Sequence, residues 1–237
     1  VIVDGRIDSG TWVGSNGVVA NNVDVNKTKL KAAGWTTNWT LSDALRSKLD
    51  VSYSHADRLE RPYETWSGLA NRGGDRIAFT NAAGGADLAR YTPSLNYTDK
   101  SIIKLMDAAG WGIDGYLKEL KVEDETKAAK LTFDQSLDYG IIRSLQYGGH
   151  VAKRSKSRAV PEWQLQLIGK PAGAAGSAPD ANGNYFNVPV PASANPRGMT
   201  MGDLGFDILA YDSKSIANLY NYVGNNYYDI FQKAWQV

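Results

Sequence analysis

Cysteine is absent from the 237 residues, so neither a disulfide framework nor a thiolate metal site can form. Histidine is scarce: only His55 and His150 occur, in strand-like stretches and on faces of opposite parity. They are not expected to share a metal. No run of about 18 apolar residues is present, so no helix is expected to cross a bilayer. Membrane strands carry a much weaker hydropathy signal and stay open. An excess of one charge is missing too, with 26 Lys and Arg against 25 Asp and Glu. That balance gives no electrostatic argument for nucleic acid. G-x-S-x-G, Walker A and H-E-x-x-H motifs are all lacking. Catalysis is therefore not expected, and no cofactor or metal is assigned. The stretch Asp180-Ala-Asn-Gly-Asn184 begins like a calcium loop but lacks the following bidentate Glu, so it reads as a turn.

What the chain does contain is alternation. Odd positions are apolar in four stretches: Ala33, Trp35, Thr37, Trp39, Leu41; Leu45 to Tyr53; Ala129 to Leu137; and Leu145 to Val151. The even positions between them are mostly polar, including Asn38, Arg46, Lys48, Asp50, Lys130, Thr132, Asp134, Gln146 and His150. A period of two is that of a strand with one apolar face. The first hairpin is expected from about Lys29 to His55 around Ser42 and Asp43, with Trp39 near Leu45 and Trp35 near Leu49. The second is expected from about Glu123 to Lys156 around Tyr139 and Gly140, with Phe133 near Leu145 and Leu131 near Tyr147. Each apolar stretch is about nine residues, close to the roughly 9–11 with which a tilted strand crosses a bilayer.

Polar segments over about 56–120 and 159–237 follow these short-turn hairpins. Short turns at one end and long loops at the other are the pattern of an outer-membrane β-barrel. The expectation is an all-β fold, part of a transmembrane antiparallel barrel, with Trp35, Trp39, Leu45, Leu49, Val51, Tyr53, Leu131, Phe133, Leu145 and Tyr147 facing lipid. Four strands cannot close a barrel, the smallest having about eight. The chain, opening on Val1, is accordingly expected to be a fragment. A soluble antiparallel sandwich with one wet face is the competing fold.

Within the long segments, Lys170 to Asn184 is rich in Gly, Ala and Pro and reads as a flexible tip. Two short helices are expected. One follows Thr98 or Asp99, carries Ile102, Ile103 and Met106, and stops at Gly110; the other runs from Asp212 through Ile216, Leu219, Tyr220 and Val223 to Gly224. Tyr63, Trp66, Tyr91, Trp111, Tyr116, Trp163 and Tyr185 are candidate ligand contacts, because aromatic faces stack on sugars while polar groups orient hydroxyls. Val122 to Glu125 lies across the second hairpin from Lys153 to Arg158, which reads as a ladder of ion pairs. Surplus Lys153, Arg154, Lys156 and Arg158 are candidates for lipopolysaccharide phosphates.

Ala32 to Gly68 and Tyr91 to Asp134 resemble the barrel of TonB-dependent outer-membrane receptors, and Ile208 to Val237 resembles the loop before another barrel strand. The resemblance spans nearly the whole chain as a diffuse pattern. It looks closest to a proteobacterial group linked with uptake of glycans and other scarce nutrients. It implies a barrel of roughly 22 strands with a plugged lumen, and energy from TonB delivered through an N-terminal part that this sequence lacks. The implied partners are outer-membrane lipid and a small or oligosaccharide ligand. A passive porin-type channel and a soluble carbohydrate-binding β-domain are the alternatives.

Overall fold

The computed structural model describes residues 1–81, 88–171 and 176–224. Its strands are β1 (Ile2–Val3), β2 (Arg6–Ile7), β3 (Ser9–Ser15), β4 (Val18–Ser42), β5 (Leu45–Leu69), β6 (Asp75–Thr80), β7 (Arg90–Pro93) and β8 (Ile103–Leu105). Then come β9 (Gly115–Lys118), β10 (Leu120–Tyr139), β11 (Ile142–Ala159), β12 (Glu162–Leu167), β13 (Val188–Pro189), β14 (Arg197–Thr200), β15 (Asp207–Ala210) and β16 (Tyr220–Gly224). The fold is all-β, and among the described residues its sheets do not close into a barrel. Two compact units are present: Val25–Arg61 with Glu119–Val160, and Val1–Asp24 with Pro62–Lys118 and Pro161–Val237.

The first unit is a four-stranded meander in the order β4-β5-β10-β11. The turn between β4 and β5 is Asp43–Ala44, one residue later than expected. β5 lies antiparallel to β10, with Leu49 opposite Leu131, Val51 opposite Ala129 and Tyr53 opposite Lys127. Cross-strand partners share a face, so the odd positions of neighbouring strands form one surface. That surface is bare: Trp35 is 74% exposed and Val151 68%, with Trp39, Val51, Tyr53, Leu131, Leu145 and Tyr147 exposed as well. Leu45, Leu49 and Phe133 are partly covered. The even face is polar, with Thr36 donating to Asp50 at 2.6 Å and Lys48 paired to Asp50 at 3.3 Å.

Register in the second hairpin differs from expectation. Phe133 lies opposite Tyr147, and Leu131 opposite Gly149. An irregularity between Ser136 and Tyr139 and a turn through Gly140, at φ 62°, displace the pairing by two residues. A shift of two keeps every side chain on its face, where a shift of one would not. Phe133 and Tyr147 therefore stack, centroids 5.3 Å apart, a pairing typically worth about 0.5–1.5 kcal/mol.

The strands are far longer than their apolar stretches. β4 and β5 have 25 residues each, β10 has 20 and β11 has 18. Residues 56–69, read as the start of a loop, continue β5. The period of two persists there, but its odd positions come to include Asp57 and Arg61, so loss of apolarity imitates loss of strand.

The second unit has a packed core. Ile103, Leu105, Met106 and Leu165 are fully buried, and Leu69, Leu167, Leu209 and Ile216 nearly so. The Leu69 end of β5 pairs with β8 and β9; β12 lies between β9 and β16. Gly115 permits this sheet: its φ is +151°, and a Cβ there would meet the Glu64 carbonyl oxygen at 2.2 Å. The expected helix after Asp99 is absent. Asp99 caps one turn through Ser101, and the chain then enters β8, because the branched Ile102 and Ile103 favour the extended form and β5 offers an edge. The helix from Asp212 is a 3-10 segment, Ser213–Leu219, after which Tyr220 to Gly224 pair with β12. The expected loop character of Ile208 to Val237 lies partly outside the described residues, as does part of the tip from Lys170 to Asn184. A separate sheet, β3-β6-β7, stacks Trp12 on Phe79 and Tyr91.

Candidate ligand-binding cleft

Three of the seven candidate aromatics come together. Glu64 on β5 lies opposite Tyr116 on β9, and Tyr116 opposite Gln164 on β12. That row shares a face, and the period of two adds Trp66, Lys118, Glu162 and Gln166 to it. Leu165 and Leu167 point to the core on the other side. Trp66 is 5% exposed and meets Trp111 edge-on at 4.7 Å and Tyr116 at 6.3 Å. Glu64 fixes the group: one carboxylate oxygen accepts from the Trp66 indole N–H, the other from the Tyr116 hydroxyl at 2.9 Å. Burial, aided by the Glu64 charge, pushes the Tyr116 hydroxyl up to about 12. Lys118 sits 4.3 Å over the Tyr116 ring and 3.8 Å from Glu162.

Trp111 is 61% exposed. With Gly110, Gly112, Ile113, Gln164, Gln166, Ser177 and Ala178 it lines an open cleft of about 590 Å³. Its segment is held by a buried carboxylate. Asp107 Oδ1 accepts the Trp111 amide at 2.8 Å, and Oδ2 accepts the Gly112 amide and the Ser177 hydroxyl, each at 2.7 Å. Behind it stands a closed set of charges. Lys170 Nζ lies 2.9 Å from Asp114 and 3.8 Å from Asp107, and Arg72 lies 3.6 Å from Asp107. Burial raises the Asp114 carboxyl, opposed by the Leu167 amide and by Lys170. The backbone of Asp114 also joins Trp66 to Leu165.

The other four candidates lie elsewhere. Tyr63 is buried in the core, and Trp163, opposite Leu117, is on the far face from Tyr116 and Gln164. Tyr91 belongs to the separate β3-β6-β7 sheet. Tyr185 lies 4.2 Å under the Arg72 guanidinium, which donates to the Ser177 carbonyl.

Glu64, Asp107, Gln164 and Gln166 were missed by sequence reading. Glu162 to Leu167 does alternate polar with apolar, which could have flagged the glutamines. Asp107 left no comparable signal, because its partners are backbone amides, a serine 70 positions away, and the cations Arg72 and Lys170 from other segments.

The ion-pair ladder reduces to one cross-strand pair. Arg154 holds Asp124 with two hydrogen bonds. Glu125 turns instead to Lys127 on its own strand at 2.8 Å, because the register sets Ser155 opposite it. Lys153, Lys156 and Arg158 form no ion pair among the described residues. His55 bonds Asp57 at 3.0 Å, and His150 lies opposite Lys130. The Asp180 carboxylate accepts the amides of Asn182 and Asn184, which makes it the side chain of a turn.

No protein-family model matches the chain, and no curated protein matches it.

Proposed function

We propose that the chain is a segment of an outer-membrane receptor of the TonB-dependent kind, which captures a scarce nutrient at its outer end and imports it with energy from TonB. The observation that carries this reading is the bare apolar surface of the first unit. Trp35, Trp39, Val51, Leu131, Leu145, Tyr147 and Val151 are exposed on one face of a continuous antiparallel meander whose other face is polar. Soluble monomers rarely expose a contiguous apolar patch beyond a few hundred Å². Lipid is the solvent that such a face suits, while the polar face suits a lumen. The packed second unit then supplies the capturing surface, with the open cleft beside Trp111, Gln164 and Gln166 as its candidate site. Lys153, unpaired among the described residues and on the odd face, is the cation placed to meet lipopolysaccharide phosphates; Lys156 and Arg158 fall on the polar face, and Arg154 is held by Asp124. Unchanged lipopolysaccharide co-purification of a Lys153→Glu variant removes that partner.

The test is fractionation of the full-length gene product. Recovery in the outer membrane, a heat-dependent change of mobility in detergent gels, and uptake lost on deletion of TonB are expected. Conductance without TonB would point to a passive channel. A soluble, detergent-free folded monomer would mean a soluble carbohydrate-binding domain, a reading that the packed core of the second unit alone would favour.

A further inference from the structure

The chemistry of the cleft narrows its ligand. We infer that it binds a neutral saccharide, with Trp111 as the stacking surface and Gln164 and Gln166 as the groups that read hydroxyls. The inference rests on the receptor reading above for its biological setting, but on the cleft itself for its chemistry. Trp111 presents a 61% exposed indole, braced from behind by Trp66. An apolar ring face against C–H groups, with amides around it, is how a sugar's two kinds of surface are met together. A primary amide both donates and accepts, as a hydroxyl does.

Fixed charge is what the cleft lacks. Among its described lining residues there is no Asp, Glu, Lys or Arg. Behind it, Asp107, Asp114, Arg72 and Lys170 neutralise one another, and Glu64 is taken up by the Trp66 indole and the Tyr116 hydroxyl. A phosphate, a polycarboxylate or an anionic metal chelate would need an unspent cation there. The volume of about 590 Å³ lies inside the range of small-ligand sites.

The cleft is also preorganised. One carboxylate, Asp107, holds the amides of Trp111 and Gly112 and the hydroxyl of Ser177, so both rims hang on a single residue. Little ordering remains to be done on binding, which favours affinity for a weakly interacting ligand.

The experiment uses the full-length protein in detergent on an array of neutral and acidic oligosaccharides, followed by titration of tryptophan fluorescence with the tightest binder and with ferric citrate. A neutral oligosaccharide is expected to bind saturably and ferric citrate not. Trp111→Ala should weaken binding at least tenfold and Gln164→Ala several-fold. Trp111→Phe should keep most affinity, and Trp12→Ala, in the separate β3-β6-β7 sheet, should leave it unchanged. Unaltered heat-dependent mobility of the variants shows that they fold. Binding confined to acidic glycans or ferric citrate, binding to nothing on the array, or full affinity in Trp111→Ala overturns the inference. None of these results touches outer-membrane fractionation, so the receptor reading stands or falls separately.

Discussion

Asp114 is the residue whose surroundings leave it least freedom. It is fully buried, its side chain receives the Leu167 amide and Lys170, and its backbone bridges Trp66 and Leu165. Removing Asp114 leaves buried Lys170 with only Asp107, at 3.8 Å, and breaking a buried pair costs up to roughly 3–5 kcal/mol. Asp114→Ala should lower the urea midpoint accordingly, and far more than Asp180→Ala, whose partners are two exposed amides. Tyrosines report on the same unit at alkaline pH. Burial pushes Tyr116 and Tyr97 each up to about 12, with Glu64 and Asp75 reinforcing the shift. A raised folded-state value means that the neutral form is favoured by folding. The stability these groups contribute is complete below the unfolded value of about 10 and declines as pH rises toward about 12. Absorbance at 295 nm should show exposed tyrosines ionising before this pair, whose ionisation accompanies the loss of structure. The aromatic members of the site could be nominated from sequence, since Trp and Tyr in polar surroundings stand out. Asp107 could not, because a carboxylate bound to backbone amides looks like any loop acid until the loop is folded.

Among elements, the hairpins carry the sharpest contrast between their two faces. Leu131 is exposed on the apolar side, with Leu49 opposite on β5, and Lys130 faces the polar side opposite Asp50. Lys on the lipid side near a bilayer midplane costs about 2–4 kcal/mol. Leu131→Lys should therefore reduce folding into lipid vesicles by that amount, whereas Lys130→Gln should change it little. Equal effects would mean that the odd face does not meet lipid. The alternation that predicts these faces was plain in the sequence, because side-chain parity survives a two-residue error of register. Strand ends were not plain. Alternation marks a strand, but apolarity marks only the part of it that is out of water, so Ala56 to Leu69 reads as loop. The segment after Asp99 misled in another way: a cap and spaced apolar residues imitate a helix, and only the edge of β5 decides for strand.

For the whole molecule, the open edges matter most. In the first unit, β4 and β11 each pair on one side only among the described residues. An unpaired backbone edge in hydrocarbon costs several kcal/mol per group. In the full-length protein, the outer-membrane proposal expects amides along the outer edge of β11 to exchange with deuterium as slowly as those of β10. Fast exchange along one edge would mean that no neighbouring strand covers it. At this scale the sequence revealed class and polarity of the sheet but not the packed second unit, whose core joins residues as distant as Val19 and Ile216. The cancelled charges of Asp107, Asp114, Arg72 and Lys170 have one further consequence. With no charged residue among its described lining and a neutral ligand to hold, the cleft should bind equally in dilute buffer and at about 1 M salt, where the Debye length falls to roughly 3 Å. A receptor of this kind would work equally well in fresh water and in brine.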